Sequence, residues 1–124
     1  MAIHFLTNEM WENLSNTLFS IANQCLEEHK EHTVSIEVSM VILQSVEHGE
    51  QCQILYGLAR LQIRSLVQGD TQAYQIATSA HDHVKRLMKT YQQACYDCKT
   101  IHDTTYDEDY MIYLCKACQL SRKG

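Results

Sequence analysis

The chain has 124 residues, of which 45% are hydrophobic and 20% charged, and this composition excludes an intrinsically disordered protein. No apolar run approaches the roughly 18 residues that a membrane-spanning helix needs, so we expect no membrane association. The net charge of −5 is modest. The absence of proline and the presence of only four glycines favour a mainly α-helical protein, because both residues disrupt helix interiors.

The amino-terminal dozen residues contain two glutamates and no lysine or arginine, which does not suit a secretory signal. We therefore expect a cytoplasmic protein. In the reducing cytosol the six cysteines remain thiols, and closely spaced pairs are interpreted as metal ligands or redox groups before disulfides.

The first predicted helix begins after Thr7, a good N-cap residue, and ends near Glu28. Apolar residues recur along one of its faces at intervals of three and four, as in an amphipathic helix. These residues are Trp11, Leu14, Leu18, Ile21 and Cys25. We expect Trp11 to lie in the core, in line with Leu14 and Leu18.

Residues 33–43 alternate almost with the period of a strand, but no neighbouring segment offers a strand to pair with. We predict a second helix that ends near Gly49. A third helix is predicted over residues 50–68, and Asp70 caps a fourth that continues up to the first closely paired cysteine. The inward face of the third contains Ile54, Leu55, Leu58, Leu61 and either Ile63 or Leu66. Four helices with short connections predict an antiparallel four-helix bundle over residues 1–94.

The strongest motif is C-x2-C-x16-C-x2-C, formed by Cys95, Cys98, Cys115 and Cys118. Two such pairs can place four thiolates about 2.3 Å from one tetrahedral zinc ion. A module of residues 95–124 is too small to fold on an apolar core alone, which favours one structural Zn²⁺ per chain. The alternative, two redox-active cysteine pairs, lacks the βαβ context of such motifs.

Within this module residues 110–114 are β-prone and residues 103–109 are polar and acidic, which predicts a short β-hairpin with an acidic turn. The module resembles the broad family of four-cysteine zinc ribbons. Residues 114–119, with the sequence LCKACQ, are also similar to the C-terminal finger of DksA/TraR-type RNA polymerase regulators. That resemblance implies the four zinc ligands. It implies no polymerase function, because residues 1–94 contain no clear counterpart of the acidic coiled-coil tip of those regulators.

Charged residues beside the cysteines are candidate interaction residues. Lys99 and Lys116 adjoin the two cysteine pairs and could contact nucleic acid, or compensate the negative charge of a four-thiolate zinc site. Asp107, Glu108 and Asp109 would repel phosphate and suit a basic protein surface.

The remaining cysteines and the seven histidines form no comparable motif. Cys25 and Cys52 fit small apolar positions, although His48 lies one turn before Cys52 and leaves a nucleophilic pair open. His81 and His83 point apart on a helix, whereas His29 and His32 are better spaced for a second metal site. We find no phosphate-binding loop and no catalytic triad, and therefore expect no enzyme.

Three functions are compatible with these features. The first is a non-enzymatic adaptor or regulator that binds a protein or a protein–nucleic-acid complex; small phage- or plasmid-encoded inhibitors of host machinery have this general build. The second is a nucleic-acid-binding transcriptional regulator that uses the basic residues of positions 51–94 and the lysines of the module. The third is a redox or zinc sensor with labile cysteines.

Overall fold

The computed structural model describes residues 6–51 and 53–123. These residues form a mainly helical protein with one small antiparallel sheet. The elements are α1 (Asn8–Glu28), α2 (Thr33–His48), α3 (Ile54–Gln68), α4 (Thr71–Gln92), β1 (Thr104–Asp107), β2 (Ile112–Cys115) and α5 (Lys116–Lys123). No helix in this part of the chain is both long and apolar enough to span a membrane. The chain divides into two compact units, residues 1–87 and 88–124, called here the helical unit and the cysteine module.

Side-chain capping explains where α1, α2 and α4 begin. The Thr7 hydroxyl accepts a hydrogen bond from the Met10 N–H at 3.2 Å, and the Asp70 carboxylate accepts one from the Ala73 N–H at 3.0 Å. His32 caps α2 through Nδ1, which accepts the Val34 N–H at 3.2 Å. The ambiguous segment after residue 33 is therefore a helix, as predicted.

Helix α1 packs against α2, and α2 packs against α3. Their fully buried apolar side chains follow helical spacing, which is the packing that the sequence pattern predicts. These side chains are Leu14, Leu18, Val38, Ile42, Ile54 and Leu58. The buried Ser39 hydroxyl also joins α2 to α1 by donating to the Ala22 carbonyl at 3.1 Å.

Two core predictions need correction. Ile63 and Leu66 are 63% and 65% exposed, because the inward row of α3 continues from Leu61 to the buried Ser65. Two residues on from Leu61, Ile63 falls on the opposite side of the helix. Trp11 is only half-buried, although Leu14 and Leu18 are fully buried. The large indole is often incompletely enclosed even where it contributes to a core.

The cysteine module contains residues 88–92 of α4, the hairpin and α5. Strand β1 pairs with β2 so that Thr104 lies opposite Cys115 and Asp107 opposite Ile112. The predicted hairpin is present, but its first strand occupies part of the segment that we interpreted as a turn. Helix α5, which the sequence analysis did not predict, packs against both strands. The module begins at residue 88, whereas the sequence interpretation placed the boundary after residue 94.

Candidate metal centre

The first cysteine pair lies in a tight turn directly after α4. The Lys99 N–H donates to the Cys95 carbonyl at 2.9 Å, and the Cys95 N–H donates to the Thr100 carbonyl at 2.8 Å. Lys99 has a φ of 64°, the left-handed conformation that closes this turn. The Tyr96 N–H donates to the Tyr113 carbonyl at 2.8 Å and so fastens the turn to β2.

The second pair lies where β2 meets α5. Cys115 is the last residue of β2, and Cys118 lies in the first turn of α5. The hairpin register therefore places Cys115 beside the first cysteine pair, and the first turn of α5 places Cys118 beside the same pair.

The four cysteine sulfurs lie within 4.8 Å of one another, with Cys98 Sγ and Cys115 Sγ 3.6 Å apart. Tetrahedral ligands at about 2.3 Å from zinc are separated by about 3.8 Å, so the observed spacing suits that ion. Among residues 6–51 and 53–123, this is the one group of three or more potential ligands gathered closely enough to bind a metal. The structure thus brings together all four predicted ligands.

The pKa values of the thiols differ within the cluster. Burial by itself would raise the pKa of Cys95, but hydrogen bonds from the backbone of Cys98, Cys115 and Asp97 lower that pKa to about 6. Hydrogen bonding with the Cys115 sulfur, followed by burial, raises the pKa of Cys118 to about 12. A Zn²⁺ ion held by the four cysteine sulfurs would offset the mutual repulsion of closely spaced thiolates and favour the loss of their protons.

Arg122 of α5 fixes the first cysteine pair from outside. Its guanidinium donates two hydrogen bonds to the Asp97 carboxylate, at 2.8 and 2.7 Å. These bonds hold the pKa of Asp97 below its usual range. The same guanidinium lies 4.9 Å from the centre of the Tyr110 ring. Because this bidentate pair joins residues 25 apart in sequence, reading along the chain did not reveal it.

Asp107 has a structural place in the module that the sequence analysis missed. Its side chain is 2% exposed, and one carboxylate oxygen accepts the N–H groups of Asp109 at 2.9 Å and Tyr110 at 3.3 Å. The other oxygen accepts the Gln119 amide at 2.9 Å and lies 3.4 Å from the Lys123 ammonium. Aspartate in turns typically accepts a hydrogen bond from the backbone N–H two residues later in the chain. An aspartate in a predicted turn was therefore the signal that could have indicated this role.

The other predicted interaction residues are at the surface. Glu108, Asp109, Lys99 and Lys116 are exposed, and Asp109 lies 3.7 Å from the Lys123 ammonium. The Lys99 ammonium donates to the Tyr96 carbonyl at 2.7 Å and lies over the Tyr96 ring. Their proposed roles in binding stay predictions.

The candidates outside the cluster are not gathered into a site. Cys25 is half-buried, and burial followed by the nearby Glu28 charge raises its pKa. It shares a cavity of about 80 Å³ with His29 and His83, but those side chains are not close enough together to bind a metal. His32 lies 3.5 Å from Asp70 and serves as a cap, whereas His81 is 3.5 Å from Asp82. Cys52, and with it the Cys52–His48 pair, lies outside the described residues.

The geometry therefore gathers four cysteine thiols that could together hold one metal ion such as zinc. Comparison of the chain with protein-family models, with curated proteins and with solved structures finds no match.

Proposed function

We propose that this protein is a small non-enzymatic adaptor or regulator, stabilised by one structural Zn²⁺ and acting in the cytoplasm. The observation that carries this proposal is the group of four cysteine sulfurs within 4.8 Å of one another. When bound, the metal supplies cross-linking between the first cysteine pair and the β2–α5 junction. Small regulators of the phage- or plasmid-encoded inhibitor type fit this description.

The ligand set supports a structural role for the metal. Four thiolates complete a tetrahedral coordination shell, whereas a catalytic zinc keeps one position for water or substrate. The Asp97–Arg122 pair and the buried Asp107 hold the surrounding backbone in place and are already occupied by partners within the module. These side chains serve the architecture of the centre, which favours a binding protein over an enzyme.

We also propose that α1 to α4 form an antiparallel four-helix bundle to which the module adds a zinc ribbon. The short connections between successive helices, and the packing of α2 on both α1 and α3, support this arrangement.

The partner contact is proposed at the turn between β1 and β2. Glu108 and Asp109 are exposed there, and the neighbouring Met111 is 73% exposed. An acidic turn beside an apolar side chain suits a basic surface on a protein or on a protein–nucleic-acid complex. Asp107 takes no part in this contact because its carboxylate is buried and hydrogen-bonded within the module.

Affinity purification from the native host, followed by mass spectrometry, tests the proposal. A partner captured by the wild-type chain should be lost with the double substitution Glu108→Lys and Asp109→Lys, but retained with Lys116→Glu, which reverses a charge of the same module. Zinc content and far-UV circular dichroism should match the wild type in both variants. Capture that neither substitution affects would contradict a contact at this turn.

Titration with random duplex DNA separates the adaptor from a nucleic-acid-binding regulator. The adaptor should bind duplex DNA weakly, and the two added lysines should strengthen that binding while they weaken protein capture. Tight binding of duplex DNA by the wild-type chain, with a steep dependence on salt and loss in Lys116→Glu, would instead select the nucleic-acid regulator.

A further inference from the structure

The outer surface of α3 carries apolar side chains that the helical core does not use. Tyr56, Ile63 and Val67 are 61%, 63% and 81% exposed. Their spacing of seven and four residues places them in one stripe along the helix. On the neighbouring α2, Ile36 and Met40 are 48% and 51% exposed and are four residues apart. Adjacent exposed apolar side chains on two packed helices are typical of an interaction surface.

A groove of about 430 Å³ lies between α2 and α3, with Val41, Gly57, Leu61 and Ile63 among its lining residues. Gly57 allows the two helices to approach closely, because a Cβ at this position would lie 2.7 Å from Val41 Cγ1. The groove therefore has an apolar floor and lies beside the exposed stripe of α3.

Charge distinguishes the two arginines that border the groove. Arg64 is paired with Glu37, to which one of its nitrogens donates at 2.8 Å. The Arg60 guanidinium lies 5.9 Å from the centre of the Tyr56 ring and forms no ion pair with any carboxylate among the described residues. Arg60 falls between Tyr56 and Ile63 on the stripe. The apolar surface thus contains one positive charge that lacks a carboxylate partner.

We propose that this α2–α3 groove binds an amphipathic helix of a partner protein, with an apolar stripe in the groove and a carboxylate opposite Arg60. The interaction follows the helix-in-groove mode, in which side chains at intervals of three and four residues anchor the peptide. The carboxylate compensates Arg60 and gives the groove a preference for acidic over basic helices.

The same charge disfavours a second copy of this chain as the occupant. Antiparallel pairing of the α3 stripe with itself would centre the two-fold axis between residues 61 and 62. The two Arg60 positions would then be only ~5 Å apart along the helix axis. Like charges at a symmetric apolar interface weaken it, whereas an acidic partner removes the repulsion.

This inference extends the proposed adaptor role and rests on it only in that both require a protein partner. The groove belongs to the helical unit and the acidic turn to the cysteine module, so separate variants test the two contacts. Suppose that the partner is lost with Glu108→Lys and Asp109→Lys, whereas Arg60→Glu and Ile63→Asp bind helical peptides as the wild type does. The adaptor proposal would then stand and the groove proposal would fail.

Fluorescence anisotropy with the full-length protein and two labelled 18-residue peptides provides the test. Both peptides carry a leucine stripe at helical spacing; one is flanked by glutamates and its twin by lysines. We expect the acidic peptide to bind at least tenfold more tightly than the basic twin. Arg60→Glu should reverse that preference, and Ile63→Asp should abolish binding of both peptides. Phe19→Asp, at a 43% exposed position on α1, is the matched control and should leave binding unchanged.

Far-UV circular dichroism of each variant separates loss of binding from loss of fold. Equal affinity for the two peptides, or an unchanged preference in correctly folded Arg60→Glu, would overturn the proposal. So would sedimentation that shows a wild-type dimer dissociated by Ile63→Asp, because the groove would then be occupied by a second copy.

Discussion

The two units of this protein are stabilised by different physical means. The helical unit buries apolar side chains from every one of its helices, including Leu18, Ile42, Leu58 and Val84. Among the described residues of the cysteine module, residues 88–123, the buried ones are Met88, Cys95, Leu114 and Asp107. Two large apolar side chains, one thiol and one carboxylate provide little hydrophobic free energy. The helices are thus held by burial, whereas a module with so small a core needs directed polar bonds and, we propose, a metal ion held by its four cysteines.

Removal of one zinc ligand should give the largest effect. Cys115→Ser leaves three thiolates, and the module loses most of a metal-binding free energy of about 10–16 kcal/mol. We expect loss of the dispersed amide resonances of residues 95–123 in NMR spectra, while the far-UV circular dichroism of α1 to α4 largely persists. Chelation of the wild-type protein should give the same result.

Cys25→Ser is the control for that substitution, since Cys25 is a half-buried cysteine of α1 outside the cluster. It should leave the module resonances unchanged. Cooperative loss of the whole helical signal on chelation would show that the two units share one core. That result would contradict their separate stabilisation.

Truncation of a core side chain in the helical unit should destabilise the helices and leave the cysteine module intact. Leu18 is fully buried, and Leu18→Ala should reduce the free energy of unfolding of that unit by about 2–5 kcal/mol, through lost transfer energy and a residual cavity. Urea denaturation followed by circular dichroism measures this change. Zinc content should stay at the wild-type value, and a parallel loss of zinc would contradict separate stabilisation.

Gly57→Ala tests the close approach of α2 and α3 in the helical unit. The added Cβ would lie 2.7 Å from Val41 Cγ1, and such overpacking costs about 1–3 kcal/mol, against about 1 kcal/mol gained from helix propensity. We expect a net loss of stability in the wild-type background. In a Val41→Ala background the clash is absent, and the same substitution should be stabilising. An equal effect in both backgrounds would mean that Val41 does not limit the approach.

The smallest effect is expected at the exposed pair of Glu37 and Arg64. Hydrogen bonding from Arg64 lowers the pKa of Glu37 below its ordinary value of 4.5. The pair therefore stabilises the fold above that pH, and the contribution disappears as the pH falls through the lowered pKa. Glu37→Gln should cost about 0.2–1 kcal/mol at neutral pH, because solvent screens the pair. The difference between the variant and the wild type should vanish in acid and shrink at high salt. A difference that persists in acid would require another cause.

Helix positions and metal ligands could be predicted because their signals are local. Capping residues such as Thr7 and Asp70 lie within one turn of the N–H groups that they accept. Each cysteine pair is likewise recognisable in the sequence, because two residues separate its cysteines. The spacing alone therefore predicts that the four sulfurs belong to one centre.

The features that escaped prediction depend on long-range contacts. Asp97 and Arg122 are 25 residues apart, and Asp107 and Gln119 are 12 apart, so neither pair leaves a periodic signal. Helix α5 was missed because its eight residues have no buried side chain. The outward directions of Ile63 and Leu66 were missed because an apolar residue was expected to continue the inward row after Leu61, whereas the buried Ser65 occupies that row.

The zinc content of the purified protein distinguishes a metal-stabilised cysteine module from a metal-free one. Elemental analysis should give one equivalent of zinc per chain for the wild type and for Cys25→Ser, and a severe loss for Cys115→Ser, because there is one complete set of gathered thiolates. Well under half an equivalent in wild-type protein whose thiols all remain reduced would contradict a zinc-dependent cysteine module. So would full zinc retention in Cys115→Ser.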